Sequence, residues 1–141
     1  MVKEVIYDSN LFAIIVSHKY CEPGINFFTD DDLSQQLAFM KHPKGKIIQP
    51  HIHNYVSRKV NTTQEALFIK KGKLRVDFYS ENKTYIESFI LESGDVILLI
   101  KGGHGFEVIE DLEMFEIKQG PYSGDNDKTR FEYNPQKNLK Y

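Results

Sequence analysis

The sequence predicts an all-β protein, a barrel or sandwich of short antiparallel strands. Three observations predict it. Apolar and polar residues alternate with a period of two in short runs, Val, Ile, Phe and Tyr fill those runs, and Gly, Asn, Asp and Lys separate them. A period of two buries one face of a strand and leaves the other wet, and many such runs in succession argue against βαβ units.

Taken in order, "KEVIY" at 3–7 and "LFAIIVS" at 11–17 flank Asp8-Ser9-Asn10, residue types that suit a tight turn. "TDDDLSQQL" at 29–37 is the one helix candidate, with Thr29 as cap and three aspartates at the positive helix end. "QPHIHN" reads as a strand in which His51 and His53 project to one face and Ile52 to the other. In "EALFIKKGKLRVDFY", Glu65, Leu67 and Ile69 share a face, and a turn is expected at Lys70 to Lys73 around Gly72.

Two further hairpins are expected. "KLRVDFY" and "TYIESFIL" flank residues 80–83, and "GDVILLI" and "HGFEVIE" flank Lys101-Gly102-Gly103. In the last of these runs His104 shares its face with Phe106 and Val108, which places it on the apolar, inward side. "EMFEIKQG" divides into a face with Met114, Glu116 and Lys118 and a face with Phe115 and Ile117. Beyond Gly120 the chain turns polar and aperiodic. The expected organisation is one β domain over residues 1–122 and a polar tail over 123–141, its last residues mobile.

Composition narrows the function. With 18 basic and 20 acidic residues in 141, the net charge of −2 gives no field to attract nucleic acid, and no helix-turn-helix segment is apparent. The longest apolar runs, "LFAIIV" and "VILLI", fall far short of the roughly 20 residues that span a bilayer. The first residues lack the apolar stretch of a signal peptide, and the single cysteine, Cys21, permits no intramolecular disulfide. A cytoplasmic protein without nucleic-acid or membrane partners is expected.

The chemistry concentrates in the histidines, of which there are five: His18, His42, His51, His53 and His104. Two imidazoles two residues apart on a strand form a ready pair of metal ligands. Glu65 is the next carboxylate able to join them, and an inward-facing His104 needs a partner, either a metal or a backbone carbonyl. Three imidazoles and a carboxylate suit Fe(II), Mn(II), Ni(II) or Zn(II) and leave positions for water or substrate.

These residues resemble the cupin superfamily, whose first motif is G-x5-H-x-H-x3–4-E-x6-G. Gly45, His51, His53, Glu65 and Gly72 follow that order, with an eleven-residue spacer, "NYVSRKVNTTQ", between His53 and Glu65. Of the second motif, G-x5-P-x-G-x2-H-x3-N, Gly94 and Gly102 match, Ile100 replaces the proline, His104 falls one residue early and the Asn is missing. The resemblance covers about residues 34–120. It implies a double-stranded β-helix or small jelly-roll barrel, a metal held by His51, His53, Glu65 and His104, and a homodimer.

The implied function is a metal-dependent enzyme acting on a small polar metabolite, such as one of carbohydrate metabolism, as an isomerase or lyase or as an Fe(II) dioxygenase. The alternative is a non-catalytic cupin that binds a small molecule as a sensor or accessory protein. In either case Arg58 in the long spacer, with Gln64 beside the carboxylate, is a candidate for substrate contact, because a guanidinium clamps carboxylate or phosphate in bidentate fashion. Glu116 and Lys118 are candidates for the acid and base if their face turns inward.

Overall fold

The structure, a computed structural model, describes residues 1–132. Eight strands run in chain order: β1 (Val2–Tyr7), β2 (Asn10–Val16), β3 (Gly24–Phe27), β4 (Ala38–Lys41), β5 (Glu65–Tyr79), β6 (Tyr85–Glu92), β7 (Val96–Leu99) and β8 (Gly103–Lys118). The only helical element among the described residues is one 3-10 turn, Gly124–Asp127. The chain forms two compact units. One comprises Met1–Tyr20 with the chain from Thr63 onward, and the other is Cys21–Thr62.

The first unit is a curled antiparallel half-barrel sheet in the order β1-β2-β7-β5-β6, with β8 on the other edge of β5. β1 and β2 form the expected hairpin, and Asp8 and Ser9 take φ of 48° and 59°, the left-handed pair that a two-residue hairpin turn requires. The "LFAIIV" run is nearly continuous in apolar residues because β2 lies between β1 and β7, and Phe12 to Val16 are all buried. The β5–β6 hairpin is also as expected, closed by hydrogen bonds from Ser80 N to Thr84 O and from Lys83 N to Ser80 O.

The third expected hairpin does not form. β7 pairs with β2 and with Glu65–Phe68 of β5, while β8 pairs along the whole opposite edge of β5. The turn expected at Lys70 to Lys73 is likewise absent, since β5 runs unbroken through it. What the glycine supplies there is a bulge. The β5–β8 register slips at Ile69, Lys71 and Lys73, and Gly72 takes φ of 86°. A Cβ on Gly72 would lie 2.1 Å from the Asp111 carbonyl oxygen, so only glycine lets β8 pass so close.

The core lies on one face of the curled sheet. Val5, Ala13, Ile15, Leu67, Ile69, Leu74, Val76, Phe78, Leu91, Ile97 and Leu99 pack together there, and each of the side chains larger than alanine contributes roughly 1.5–3 kcal/mol if fully buried. Behind the second half of β5 lies a buried polar cluster. Arg75 donates to both carboxylate oxygens of Asp77, at 2.9 and 3.0 Å, and lies 2.6 Å from Glu107. Ser88 donates to Asp77 in turn, and Tyr85 lies within hydrogen-bond distance of Ser88. Two charges can be buried together because each is paired and hydrogen-bonded.

In the second unit β3 and β4 pair antiparallel. The predicted helix after Thr29 is a turn instead. The Thr29 hydroxyl, expected to cap a helix, donates to Gln36 Oε1 and accepts from Leu37 N, which closes a loop and not a helical ladder. Residues 42–62 have no regular structure, so the strand expected at His51 to His53 does not form. Pro43 and Pro50 lack the N–H a ladder needs, and Ile47 and Ile48 are adjacent where alternation requires a polar residue between them.

Candidate functional site

Glu65 opens β5, and Lys118, its register partner, closes β8. His104 sits at the other end of the same two-stranded ribbon, opposite Phe78. In a flat sheet, Glu65 and Phe78 would be about 40 Å apart at roughly 3.3 Å per residue. Yet His104 Nε2 lies 3.5 Å from Glu65 Oε2, and Lys118 Nζ lies 3.6 Å from Glu65 Oε1. The ribbon therefore curls back on itself, and the bulge at Gly72 is where it bends. The fold makes the site by bringing the two ends of its longest strand together.

The alternation of β5 turns Glu65 inward with Leu67 and Ile69, as the sequence predicts, and all three are buried. His104 lies on the core-side face, opposite buried Phe78, but the enclosure expected for it is incomplete. β8 is the edge strand, and Phe106 and Val108 on the same face are 41% and 58% exposed. His104 thus stands at the rim of the curled sheet rather than inside a closed barrel. The Met114, Glu116 and Lys118 face also turns toward the core side, because its partners across the ladder are Ile69, Leu67 and Glu65.

The electrostatics follow from this crowding. The hydrogen bond from His104 brings the Glu65 carboxyl from its ordinary 4.5 down to about 2; burial opposes the shift, and the charges of His104, Lys118 and Lys128 add to it. Glu65 is therefore an anion at every physiological pH. The hydrogen bond between Lys118 and Glu116, 3.2 Å apart, raises Lys118 above its usual value, against a small burial effect. Lys118 is thus held as an ammonium, able to neutralise charge or give up a proton but poorly suited to take one.

Glu65 and His104 line a small, shallow, solvent-open pocket with Thr63, Leu99, Ile100, Lys101 and Gly102. Gly102 is needed there for contact: a Cβ would lie 2.0 Å from the Phe12 ring. The sequence signals that found Glu65 and His104 did not single out Lys101 or Thr63 as pocket residues. Lys101 looked like a turn residue, and Thr63 like part of the spacer.

The other candidates are placed differently. Gln64 is buried, its backbone N–H donates to Gln119 Oε1 at 3.0 Å, and its carbonyl accepts from Gln119 N. It fixes the entry of β5. Arg58 is exposed in the irregular segment, and its closest hydrogen-bond contact is the Val56 carbonyl. His51 and His53 are exposed in the same segment with rings 5.2 Å apart, edge to face, so an extended backbone makes them neighbours without a ladder. His51 Nδ1 lies 3.0 Å from the Gln49 carbonyl. Cys21 is exposed, and His18 is engaged with Asp95 through its backbone N–H and its Nδ1.

Whether these residues suit a metal can be judged from donor spacing. Two donors about 2.1 Å from a tetrahedral ion lie about 3.4 Å apart, which is close to the Nε2 to Oε2 separation of 3.5 Å. Glu65 and His104 fit two ligand positions. Among the described residues, no group of three or more His, Cys, Asp or Glu side chains is gathered so as to hold a metal ion. No helix among the described residues is long and apolar enough to cross a membrane. Compared with known proteins, the chain matches no family model, no curated protein and no solved structure. The cupin resemblance therefore rests on its motif residues alone.

Proposed function

We propose that the pocket around Glu65 and His104 is the working site of a metal-binding protein with a cupin-like, jelly-roll barrel, acting on a small polar metabolite. The observation that carries this reading is the Glu65–His104 pair: a carboxylate kept ionised and an imidazole nitrogen held 3.5 Å from it, at a pocket. The Glu65 carboxyl is ionised, as a ligand must be, and the two groups stand at the spacing that a divalent transition ion asks of two ligands. His51 and His53 keep their place as the remaining ligands on sequence grounds alone.

Bound there, a divalent Fe, Mn, Ni or Zn ion would polarise a carbonyl or hydroxyl, or in the case of iron support oxygen chemistry. The chain's own groups define the rest. The Lys118 ammonium neutralises charge that develops beside Glu65, and Glu116 keeps that ammonium protonated. Thr63 and Lys101 offer polar contacts at the pocket wall, and Leu99 and Ile100 form its apolar side. This suits an isomerase, lyase or dioxygenase substrate of a few heavy atoms. A homodimer, implied by the cupin resemblance alone, and a reducing compartment, with which the lone cysteine agrees, belong to the same proposal.

A non-catalytic small-molecule binder is the second reading, and one observation favours it. Lys118 already balances the charge on Glu65 without a metal. Elemental analysis of the purified protein separates the two. The first reading predicts close to one equivalent of a transition metal per chain, lost in Glu65→Gln and His104→Ala; protein that neither copurifies with nor takes up such a metal supports the second.

A further inference from the structure

The spacer between His53 and Glu65 stands out in the sequence, and most of it takes no part in the pocket. Residues 54–62, "NYVSRKVNT", hold Arg58 and Lys59 and no acidic residue. They contain no Pro or Gly, and Tyr55, Val56 and Val60 suit a strand. Yet they join no sheet, and all nine are exposed, Tyr55 almost completely. This arm has the make-up of a strand without a strand to pair with.

β8 presents the other half. Among the described residues it ladders with β5 alone, so its outer edge is open. It carries five exposed carboxylates, Glu107, Glu110, Asp111, Glu113 and Glu116, against one ammonium, Lys118. Its middle is irregular where the register slips, which blunts an edge, but Met114–Lys118 runs in regular register with Glu65–Ile69. Alternation puts Glu113, Phe115 and Ile117 on one face there, with Phe115 stacked on Phe68 at 6.4 Å, and all three rings and branches stand exposed. Glu116 shares the other face with Met114. Glu113 and Glu116 each meet a lysine, Lys70 and Lys118, through one oxygen and stay 51% and 41% exposed, so each can accept a second cation.

Like does not pair with like here. Two β8 edges side by side would set carboxylate against carboxylate, and two arms would set cation against cation, which destabilises a strand pair. An arm against β8 joins opposite charges on both faces of the added strand. Run antiparallel with Lys59 opposite Glu113, it sets Tyr55 opposite Ile117, on the face of the Phe68–Phe115 stack. On the other face Arg58 falls opposite Met114 and diagonal to Glu116. Every copy carries one arm and one edge, so two copies related by a two-fold axis satisfy both and leave neither over.

We propose that residues 54–62 of one copy add to the outer edge of β8, at Glu113–Lys118, of a second copy, and that the exchange is reciprocal. Backbone hydrogen bonds supply the affinity, and Tyr55 and the charges set the register. This names the surface of the homodimer proposed above and does not depend on what the pocket binds.

Sedimentation velocity and thiol pairing test the exchange on the full chain, at positions whose side chains are exposed. The expected result is a dimer whose dissociation constant rises roughly tenfold in Lys59→Glu and in Glu113→Lys, where like charges face each other. Combining the two variants in one chain should restore it, which a misfolded protein would not do. In a Cys21→Ser background, protein with Tyr55→Cys mixed with protein with Ile117→Cys should form a mixed disulfide on mild oxidation, because facing strand positions bring two sulfurs within bonding reach. A monomer at every concentration would overturn both the arm and the homodimer. A dimer that forms no mixed disulfide would overturn the arm alone. A disulfide closing within one chain of the Tyr55→Cys, Ile117→Cys double variant would mean that the arm docks on its own β8, and the exchange would fall.

Discussion

The two histidine settings of this chain are built by opposite means. His104 is held by a ladder: it lies opposite Phe78, and the bulge at Gly72 curls β5 and β8 until it meets Glu65. His51 and His53 lie in a stretch, residues 42–62, where the backbone joins no sheet and Ile52 and Tyr55 are 90% and 99% exposed. Both settings place an imidazole beside another functional group. Only the first fixes that neighbour through structure far along the sequence. A spacing of two guarantees proximity along an extended chain, whereas a preorganised site needs the register of distant strands to be set by a core.

The contrast predicts very different sensitivities. Phe78→Ala, at the position facing His104, should cost about 3–5 kcal/mol in urea unfolding, because the ring is fully buried. Ile52→Ala should change stability by less than about 0.5 kcal/mol, as an exposed side chain without core contacts does. Equal costs at the two positions would remove the distinction between the regions.

Next in size is the acid dependence carried by Glu65. Its folded carboxyl titrates at about 2 and an unfolded one near 4.5, so a depressed folded value stabilises the fold above the unfolded one. The contribution is complete above about pH 5 and is lost as pH falls through about 2, with a total of about 3 kcal/mol. Glu65→Gln should flatten the pH profile of the unfolding midpoint across that window. A variant that keeps the wild-type slope would place the responsible carboxylate elsewhere.

Gly72→Ala should cost about 2 kcal/mol or more, from the left-handed backbone and from the Asp111 carbonyl that the methyl group would meet. It sharpens the comparison because it alters neither Glu65 nor His104 yet should weaken their pairing, and with it any metal uptake, while the local proximity of His51 and His53 is untouched. A small effect is also expected for Lys70 and Glu113, an exposed pair 2.5 Å apart. Breaking it should change stability by no more than about 1 kcal/mol, and less at high salt.

These differences also mark what could be read from the sequence. Alternation located β1, β2, β5 and β6 and two of their turns, because each hairpin is local and its turn residues carry the signal. It oriented Glu65 with Leu67 and Ile69 for the same reason. It failed at Lys70 to Lys73, where one glycine at positive φ reads equally as a turn or a bulge, and the choice depends on how closely Asp111 of a distant strand approaches. It also failed at "GDVILLI" and "HGFEVIE", which look like a hairpin although each run finds its partner on a different edge of β5.

The strand read into "PHIH" came from its spacing, while Pro43, Pro50 and the adjacent Ile47 and Ile48 argued against a ladder. At the site, Glu65, His104, Glu116 and Lys118 were all nominated from the sequence, and the structure draws them together. The pairing of Thr63 with Asp127 could not be read from the sequence because their hydrogen bond joins positions 64 residues apart. The tail beyond residue 132 lies outside the described residues.

The central claim is that the Glu65–His104 pair binds a divalent metal. The most direct test follows the ring nitrogens of all five histidines by long-range 1H–15N NMR during titration with Zn(II). The account predicts that the His104 ring signals move with saturation at one equivalent, and that Glu65→Gln abolishes this response. Signals of His104 that stay fixed while Zn(II) perturbs only His18, His42 or the His51 and His53 pair would contradict it.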